Sequence, residues 1–323
     1  MSITLSAIVS KIINEKYLIS NEEALYLYKN TSTTELCNSA NKIRQSCCSK
    51  NSNICSIINA KQGGCSENCH YCAQSAHWHT SCTPLKMVTP QKASELSLHA
   101  LTNKVKRIAL VTAGKGLCGK DFETSLECFK KILKDSDNKM AVCASLGIIS
   151  EEQMHQLKKA GVSRYHHNLE TSKNFYKNIC TTHTYEDRVS TIKLAKKAGL
   201  QICCGGIIGM GESKEDRIDL ALAIRDLDVQ SVPINILTPI QGTPLENIEP
   251  ISKDEVLRTI AIFRFIMPSQ TIRCAAGRKK LGNNGIDAFL SGANAMISGD
   301  FLTTPGSTNN EDVEMMKSLG YEV

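Results

Sequence analysis

Nothing in these 323 residues approaches the roughly 20-residue apolar run that a membrane-spanning helix needs, which argues against a membrane protein. There is also no block of like charge. The net excess of +6 is spread along the chain, so it suits acidic small molecules or an acidic protein donor better than a nucleic acid. The opening run Met1-Ser2-Ile3-Thr4-Leu5 lacks the basic stretch and apolar core of an export signal. No Gly-x-Gly-x-x-Gly follows the first strand-like run, which counts against an open doubly wound sheet. Cysteine, by contrast, is abundant, with fifteen in the chain. Without an export signal they imply a reducing cytoplasm, free thiols and metal ligands rather than a disulfide framework.

Three of them stand in Gly63-Gly64-Cys65-Ser66-Glu67-Asn68-Cys69-His70-Tyr71-Cys72, spaced Cys-x3-Cys-x2-Cys. A structural zinc site closes its shell with four ligands, and a [4Fe–4S] cube usually takes four thiolates. Three thiolates on a cube leave one iron open to bind something else. The rival readings are a zinc site completed by His70 or His77, and idle thiols. The glycines before Cys65 and the aromatic before Cys72 favour a tight loop around a cluster. Cys37, Cys47, Cys48, Cys55, Cys82, Cys128 and Cys180 are expected to have no catalytic role.

Residues 1–50 read as an N-terminal helical extension, with a capping-box signal at Ser20 and Glu23. The rest, 51–323, alternates strand-like and helix-like runs and closes on a C-terminal helix. Eight apolar or β-branched runs are expected as strands: 54–59, 107–112, 140–145, 163–168, 200–204, 231–236, 270–275 and 293–297. Between them, cap residues open helices at Thr89-Pro90, Asp121, Ser150, Thr184, Ser213, Ser252, Asn283 and Asn310. Eight strands each followed by a helix predict an α/β fold, a (β/α)8 TIM-type barrel, over an open doubly wound sheet. Chemistry in such barrels sits at the C-terminal ends of the strands, where the Cys65 loop emerges.

With an aromatic before its last cysteine, the Cys-x3-Cys-x2-Cys loop resembles the cluster loop of the radical S-adenosylmethionine (SAM) superfamily. Further segments narrow the resemblance to the biotin synthase family: Cys72-Ala73-Gln74-Ser75, His167-Asn168-Leu169-Glu170-Thr171-Ser172, Gly205-Gly206-Ile207-Ile208-Gly209-Met210-Gly211-Glu212, Ser231-Val232-Pro233-Ile234-Asn235, Gly242-Thr243-Pro244-Leu245, Ala276-Gly277-Arg278 and Leu302-Thr303-Thr304-Pro305-Gly306. They run in the family's order from about residue 55 onward. The resemblance implies a radical SAM sulfurtransferase that inserts sulfur into dethiobiotin, with Cys65, Cys69 and Cys72 holding a [4Fe–4S] cluster whose open iron chelates SAM. It also implies a sulfur-supplying auxiliary cluster, [2Fe–2S] or a variant, on three cysteines and an arginine. By position these ligands are Cys143, Cys203 and Arg273. The third cysteine position is Ala109, which cannot ligate iron. Cys118, Cys274 and Cys204 are the candidate replacements, although strand alternation sets Cys204 against Cys203 and Cys274 against Arg273.

The resemblance also places Tyr71, Asn168 and Glu170 at SAM positions, with His166 replacing a family asparagine. Asn235, Thr303 and Thr304 fall at substrate positions, where a turn amide and helix caps are the plainer readings. The expected partners are dethiobiotin, a flavodoxin or ferredoxin donor, the iron–sulfur assembly machinery and a second copy in a homodimer. Two other readings compete. One is a radical SAM enzyme without sulfur insertion, like the hydrogenase-maturation branch or a barrel lipoyl synthase. The other is an iron–sulfur carrier or electron-transfer protein.

Overall fold

The computed structural model describes residues 4–51, 53–299 and 308–323. Three helices, Leu5–Glu15, Asn21–Asn30 and Thr33–Cys47, precede the first strand. Serine or threonine side chains accept main-chain N–H groups at each of their starts, and the Ser20–Glu23 capping box is formed.

Nine strands follow: β1 Ile54–Lys61, β2 Arg107–Thr112, β3 Ala141–Ser145, β4 Arg164–His166, β5 Gln201–Cys203, β6 Gly206–Ile208, β7 Ser231–Ile236, β8 Thr271–Cys274 and β9 Ala295–Ile297. All pair in parallel, and β1 pairs with β9, closing the sheet on itself. The ring has eight members, because β5 and β6 are one strand broken at Cys204-Gly205, both pairing with β7. The eight-stranded barrel expected from the alternating runs is therefore present, with its fifth strand interrupted.

The break has a steric cause. A Cβ on Gly205 would lie 1.8 Å from the Pro233 carbonyl oxygen, and one on Gly206 would lie 2.3 Å from that of Glu170. Glycine alone permits this approach. It lets the Ile207 N–H reach the Glu170 carbonyl at 2.8 Å, tying the end of β4 to β6.

Most helices between the strands begin where the caps indicate, but the last is capped by Thr308 rather than Asn310, and Asn283 opens a 3-10 turn ahead of the helix Ile286–Leu290. Capping boxes form at Ser150–Gln153, Thr184–Asp187 and Ser213–Asp216. The helix expected to open at Asp121 runs Gly119–Asp135 and begins three residues earlier than read. Its N-cap is Cys118, whose thiol makes no capping bond, so no side-chain signal marks the true start.

Helix Lys253–Ile266 is buried along most of its length between the barrel and the N-terminal helices. Two arginines on it show how charge is accommodated there. Arg258 donates to the main chain of Tyr28 and Thr31, and Arg264 to four carbonyls and to Asn294. A buried guanidinium is tolerable only when its N–H groups are met in this way.

Candidate active site

The residues that open the site are the ones that close the first loop on itself. Gly63 and Gly64 take φ of 74° and 63°, which side chains disfavour, and turn the chain off the end of β1. Cys65 N–H donates to the Gln74 carbonyl at 3.0 Å, Ala76 N–H to the Cys65 carbonyl at 2.7 Å, and Ser75 Oγ to the Glu67 carbonyl at 2.6 Å. Trp78 Nε1 donates to the Cys69 carbonyl at 3.0 Å. The loop is thus shaped by its own hydrogen bonds.

The three sulfurs of Cys65, Cys69 and Cys72 are not all within 4.8 Å of one another; among the described residues only Cys69, Cys180 and His183 form such a group. One zinc ion gathers its ligand atoms at roughly that distance or less. A wider thiol triangle fits a multi-iron cube. Neither histidine of the zinc reading joins it: His77 Nε2 lies on the Ser66 carbonyl, and His70 packs edge-on to Trp78.

Cys72 and Tyr71 form part of the wall of a cavity of about 340 Å³ inside the barrel. Burial, joined by the nearby charges of Cys65 and Glu170, raises the Cys72 thiol to about 11, so a metal must displace its proton. Burial likewise pushes Tyr71 far above a phenol's usual value.

Within the barrel the cavity is lined by Cys143 on β3, Cys203 on β5 and Arg273 on β8, three positions named from the sequence. Ala109 lines it on β2, level with Cys143 and with Ile57 on β1. A third thiol does line the cavity. Cys55, two residues before Ile57 on the same face of β1, lies on the cavity wall. Cys55, expected to have no catalytic role, thus stands on the wall shared by Cys143 and Cys203. Alternation along β1 was the available signal, since positions 55 and 57 share one face. None of the proposed replacements lines the cavity: Cys118 is exposed, and Cys204 and Cys274 are buried on the other face of their strands.

Three guanidiniums share this part of the site. Arg107 Nη1 lies 3.5 Å from Cys143 Sγ. Arg164 donates through Nη2 to Gln201, and its buried Nε has no partner. Arg273 spends Nη1 on the carbonyls of Asn53 and Met296 and Nη2 on Asn53 Oδ1, leaving its buried Nε without a partner. Burial opposes the thiolate at Cys203, but His166, Arg273 and Arg164 outweigh it and bring that thiol down to about 6. Like charges so close need an anionic occupant. Cysteine thiolates with inorganic sulfide are such an occupant, and the two unpartnered Nε–H groups are the donors it would satisfy.

Just beyond the end of β4, Asn168 and Glu170 also line the cavity. Asn168 accepts Gly205 N–H at 3.0 Å and donates to Glu170 Oε2 at 3.2 Å. Glu170 has φ of 70°, a costly conformation for a non-glycine residue. It is held by Arg188, a residue that sequence reading missed: buried in the helix Tyr185–Lys197, it lies 3.6 Å from Glu170 and donates to Tyr176 Oη and the Asn168 carbonyl. Asn235 donates to the Gly206 carbonyl and accepts Ala276 N–H, so its amide also braces main chain. The glycine-rich stretch after β6 is folded around Glu212, which accepts the N–H groups of Gly209 and Met210 and pairs with Arg217. Thr303 and Thr304 lie outside the described residues.

Comparison with known proteins places the chain in a family. Residues 60–224 match the Radical SAM superfamily, and residues 233–322 match the Biotin and Thiamin Synthesis associated domain. The biotin synthase of Brachyspira hyodysenteriae is 45% identical over 321 residues, 99% of this chain and 95% of the relative. That of Clostridium tetani is 47% identical over 316 residues, 97% of this chain and 96% of the relative. Among solved structures, methylornithine synthase superposes with a TM-score of 0.82 at 18% identity, covering 98% of this chain and 96% of that one. A maturase of the [FeFe]-hydrogenase gives 0.83 at 17%, covering 98% and 74%. At such identities these two establish the fold alone.

Proposed function

The chain belongs to the biotin synthase family, and from that premise we propose that it inserts sulfur into dethiobiotin within the barrel cavity. Cys65, Cys69 and Cys72 hold the [4Fe–4S] cluster in this reading, and Cys55, Cys143 and Cys203 hold the auxiliary cluster. The observation that carries it is the convergence of Cys55, Cys143 and Cys203 on one cavity that also reaches Cys72. When bound, the first cluster with SAM supplies the radical that removes hydrogen from unactivated carbon, and the auxiliary cluster supplies sulfur.

The protein's own part is to place and shield the reactants. Tyr71, beside Cys72, offers an aromatic wall to the SAM adenine. Glu170, fixed by Asn168 and Arg188, keeps lone pairs for ribose hydroxyls. Asn168 and Asn235 each retain amide capacity beyond their main-chain bonds, for SAM or for the ureido ring. Thr303 and Thr304 are proposed for the substrate carboxylate. Ile57, Val111 and Ile207 give the cavity apolar walls that keep water from the reacting carbons. Arg273, with both Nη groups committed, acts as a charge partner through Nε rather than as an iron ligand.

Ala109 no longer favours an enzyme without sulfur insertion, because Cys55 restores the third thiol. An acidic flavodoxin or ferredoxin donor suits the net charge of +6, and a reducing cytoplasm suits fifteen free cysteines. No helix among the described residues is long and apolar enough to cross a membrane. A homodimer and loading by iron–sulfur assembly proteins complete the proposal.

Anaerobic reconstitution with iron and sulfide, followed by assay of 5′-deoxyadenosine and biotin from dethiobiotin, tests it. Biotin formation with clearly more than about four irons per chain supports the reading. About four irons with deoxyadenosine but no biotin points to the branch without sulfur insertion. Absence of SAM cleavage points to an electron carrier.

A further inference from the structure

Beside Cys69 of the first loop lie two ligating side chains, Cys180 and His183, that the function above does not use. Cys180 Sγ is 3.7 Å from Cys69 Sγ, and His183 Nδ1 and Nε2 are 3.3 Å and 3.8 Å from Cys180 Sγ. All three residues are buried. The buried carboxylate of Glu67 meets His183 Nδ1 at 2.5 Å, orienting the ring. The segments carrying the two cysteines are clamped on either side. His70 N–H donates to the Ile179 carbonyl, and Asn68 Oδ1 accepts the N–H groups of Thr181 and Thr182. The Cys69–Cys180 approach is therefore built into the backbone.

These separations carry a chemical meaning. A tetrahedral zinc with Zn–S of about 2.3 Å and Zn–N of about 2.05 Å puts two sulfurs about 3.8 Å apart and sulfur and nitrogen about 3.6 Å apart. The sulfur pair matches, and His183 Nε2, the nitrogen that Glu67 leaves free, lies 3.8 Å from Cys180 Sγ, close to the second value. A histidine that binds metal through one nitrogen while giving the other N–H to a carboxylate is the usual support for such a ligand.

We propose that Cys69, Cys180 and His183 form a separate site for a single borderline divalent cation of the zinc or ferrous type, with Glu67 orienting His183. Because Cys69 serves both sites, a cation held there withholds a ligand from the cube, and the two occupancies exclude each other. The exclusion rests on Cys69 being a cluster ligand. Binding of the cation does not, so it is read separately from biotin formation.

The test uses full-length, cluster-free, reduced protein and Co²⁺ as a spectroscopic probe displaced by Zn²⁺. The expected result is one tight Co²⁺ with tetrahedral thiolate bands. Affinity should fall at least tenfold in Cys180→Ser and His183→Gln, roughly tenfold in Glu67→Gln, and hold in Cys72→Ser. X-ray absorption of the zinc-loaded wild type, which needs no variant, should show two sulfurs with nitrogen or oxygen completing the shell. One equivalent of Zn²⁺ should slow appearance of the cluster chromophore in wild type and not in Cys180→Ser. Three sulfurs around zinc, loss of binding in Cys72→Ser, or no tight binding would overturn the site. Zinc that binds without delaying the cluster would overturn the sharing of Cys69.

Discussion

Arg188 and Glu170 lie 3.6 Å apart, both buried, at the point where Glu170 adopts φ of 70° and faces the cavity. The carboxylate assigned to SAM from the sequence is thus held by a guanidinium from the following helix. Removing one partner of a buried pair strands the other charge. Arg188→Met should lower stability by about 3 kcal/mol, measured as a fall in the urea midpoint. Loss of SAM affinity should accompany it, read by equilibrium binding at a temperature where the variant stays folded. An unchanged midpoint would show that Glu170 is held by other means.

Cys55→Ala should remove auxiliary iron while leaving the [4Fe–4S] cluster and reductive SAM cleavage in place. Iron and sulfide per chain fall, 5′-deoxyadenosine still forms, and biotin does not. Cys118→Ala, Cys204→Ala and Cys274→Ala should keep wild-type iron content, since none of these thiols lines the cavity. If one of the three lowers auxiliary iron and Cys55→Ala does not, the ligand set proposed for Cys55 is wrong.

Gly205→Ala tests the break between β5 and β6. The added methyl would sit 1.8 Å from the Pro233 carbonyl oxygen. Main chain cannot yield as a flexible side-chain tip can, so the cost should reach the upper part of the roughly 1–3 kcal/mol seen for overpacking. Thermal or urea unfolding measures it. A neutral substitution would mean that the strand ends can move apart.

Acid sensitivity should come partly from Glu255. Burial raises its pKa, but the Lys214 hydrogen bond and the charges of Lys214 and Arg217, with help from Tyr28, win and hold it below the usual 4.5. A carboxylate depressed on folding adds stability that is present above its unfolded pKa and lost as pH falls through the folded value. Glu255→Gln should therefore flatten the loss of stability on acidification below pH 4.5, followed by urea unfolding across that range. An unaltered slope would exclude Glu255 as a contributor.

Much of the architecture was legible because its signals are local. Cap residues and short β-branched runs mark elements by interactions that span a few positions, so all eight expected strands appear near their read boundaries. The helix capped by Cys118 starts early for the same reason: a cap that makes no side-chain bond leaves nothing to read. The split of the fifth strand was not legible either, because it depends on Pro233 and Glu170, which are distant in the chain.

The site divides in the same way. The amino-acid order alone determined the Cys65, Cys69 and Cys72 loop, since three ligands within eight positions need only a turn to meet. It also determined that Cys143 and Cys203 stand on strands. Which further thiol faces the same cavity was decided by the tertiary structure, in which β1 pairs with β2 and Cys55 lines the wall together with Ala109, Cys143 and Cys203. Tertiary structure likewise decided that Arg188 supports Glu170, that Arg273 spends its Nη groups on Asn53 and the Met296 carbonyl, and that Cys180 and His183 meet Cys69. In each case the partners lie many residues apart, and only packing in three dimensions sets their distance.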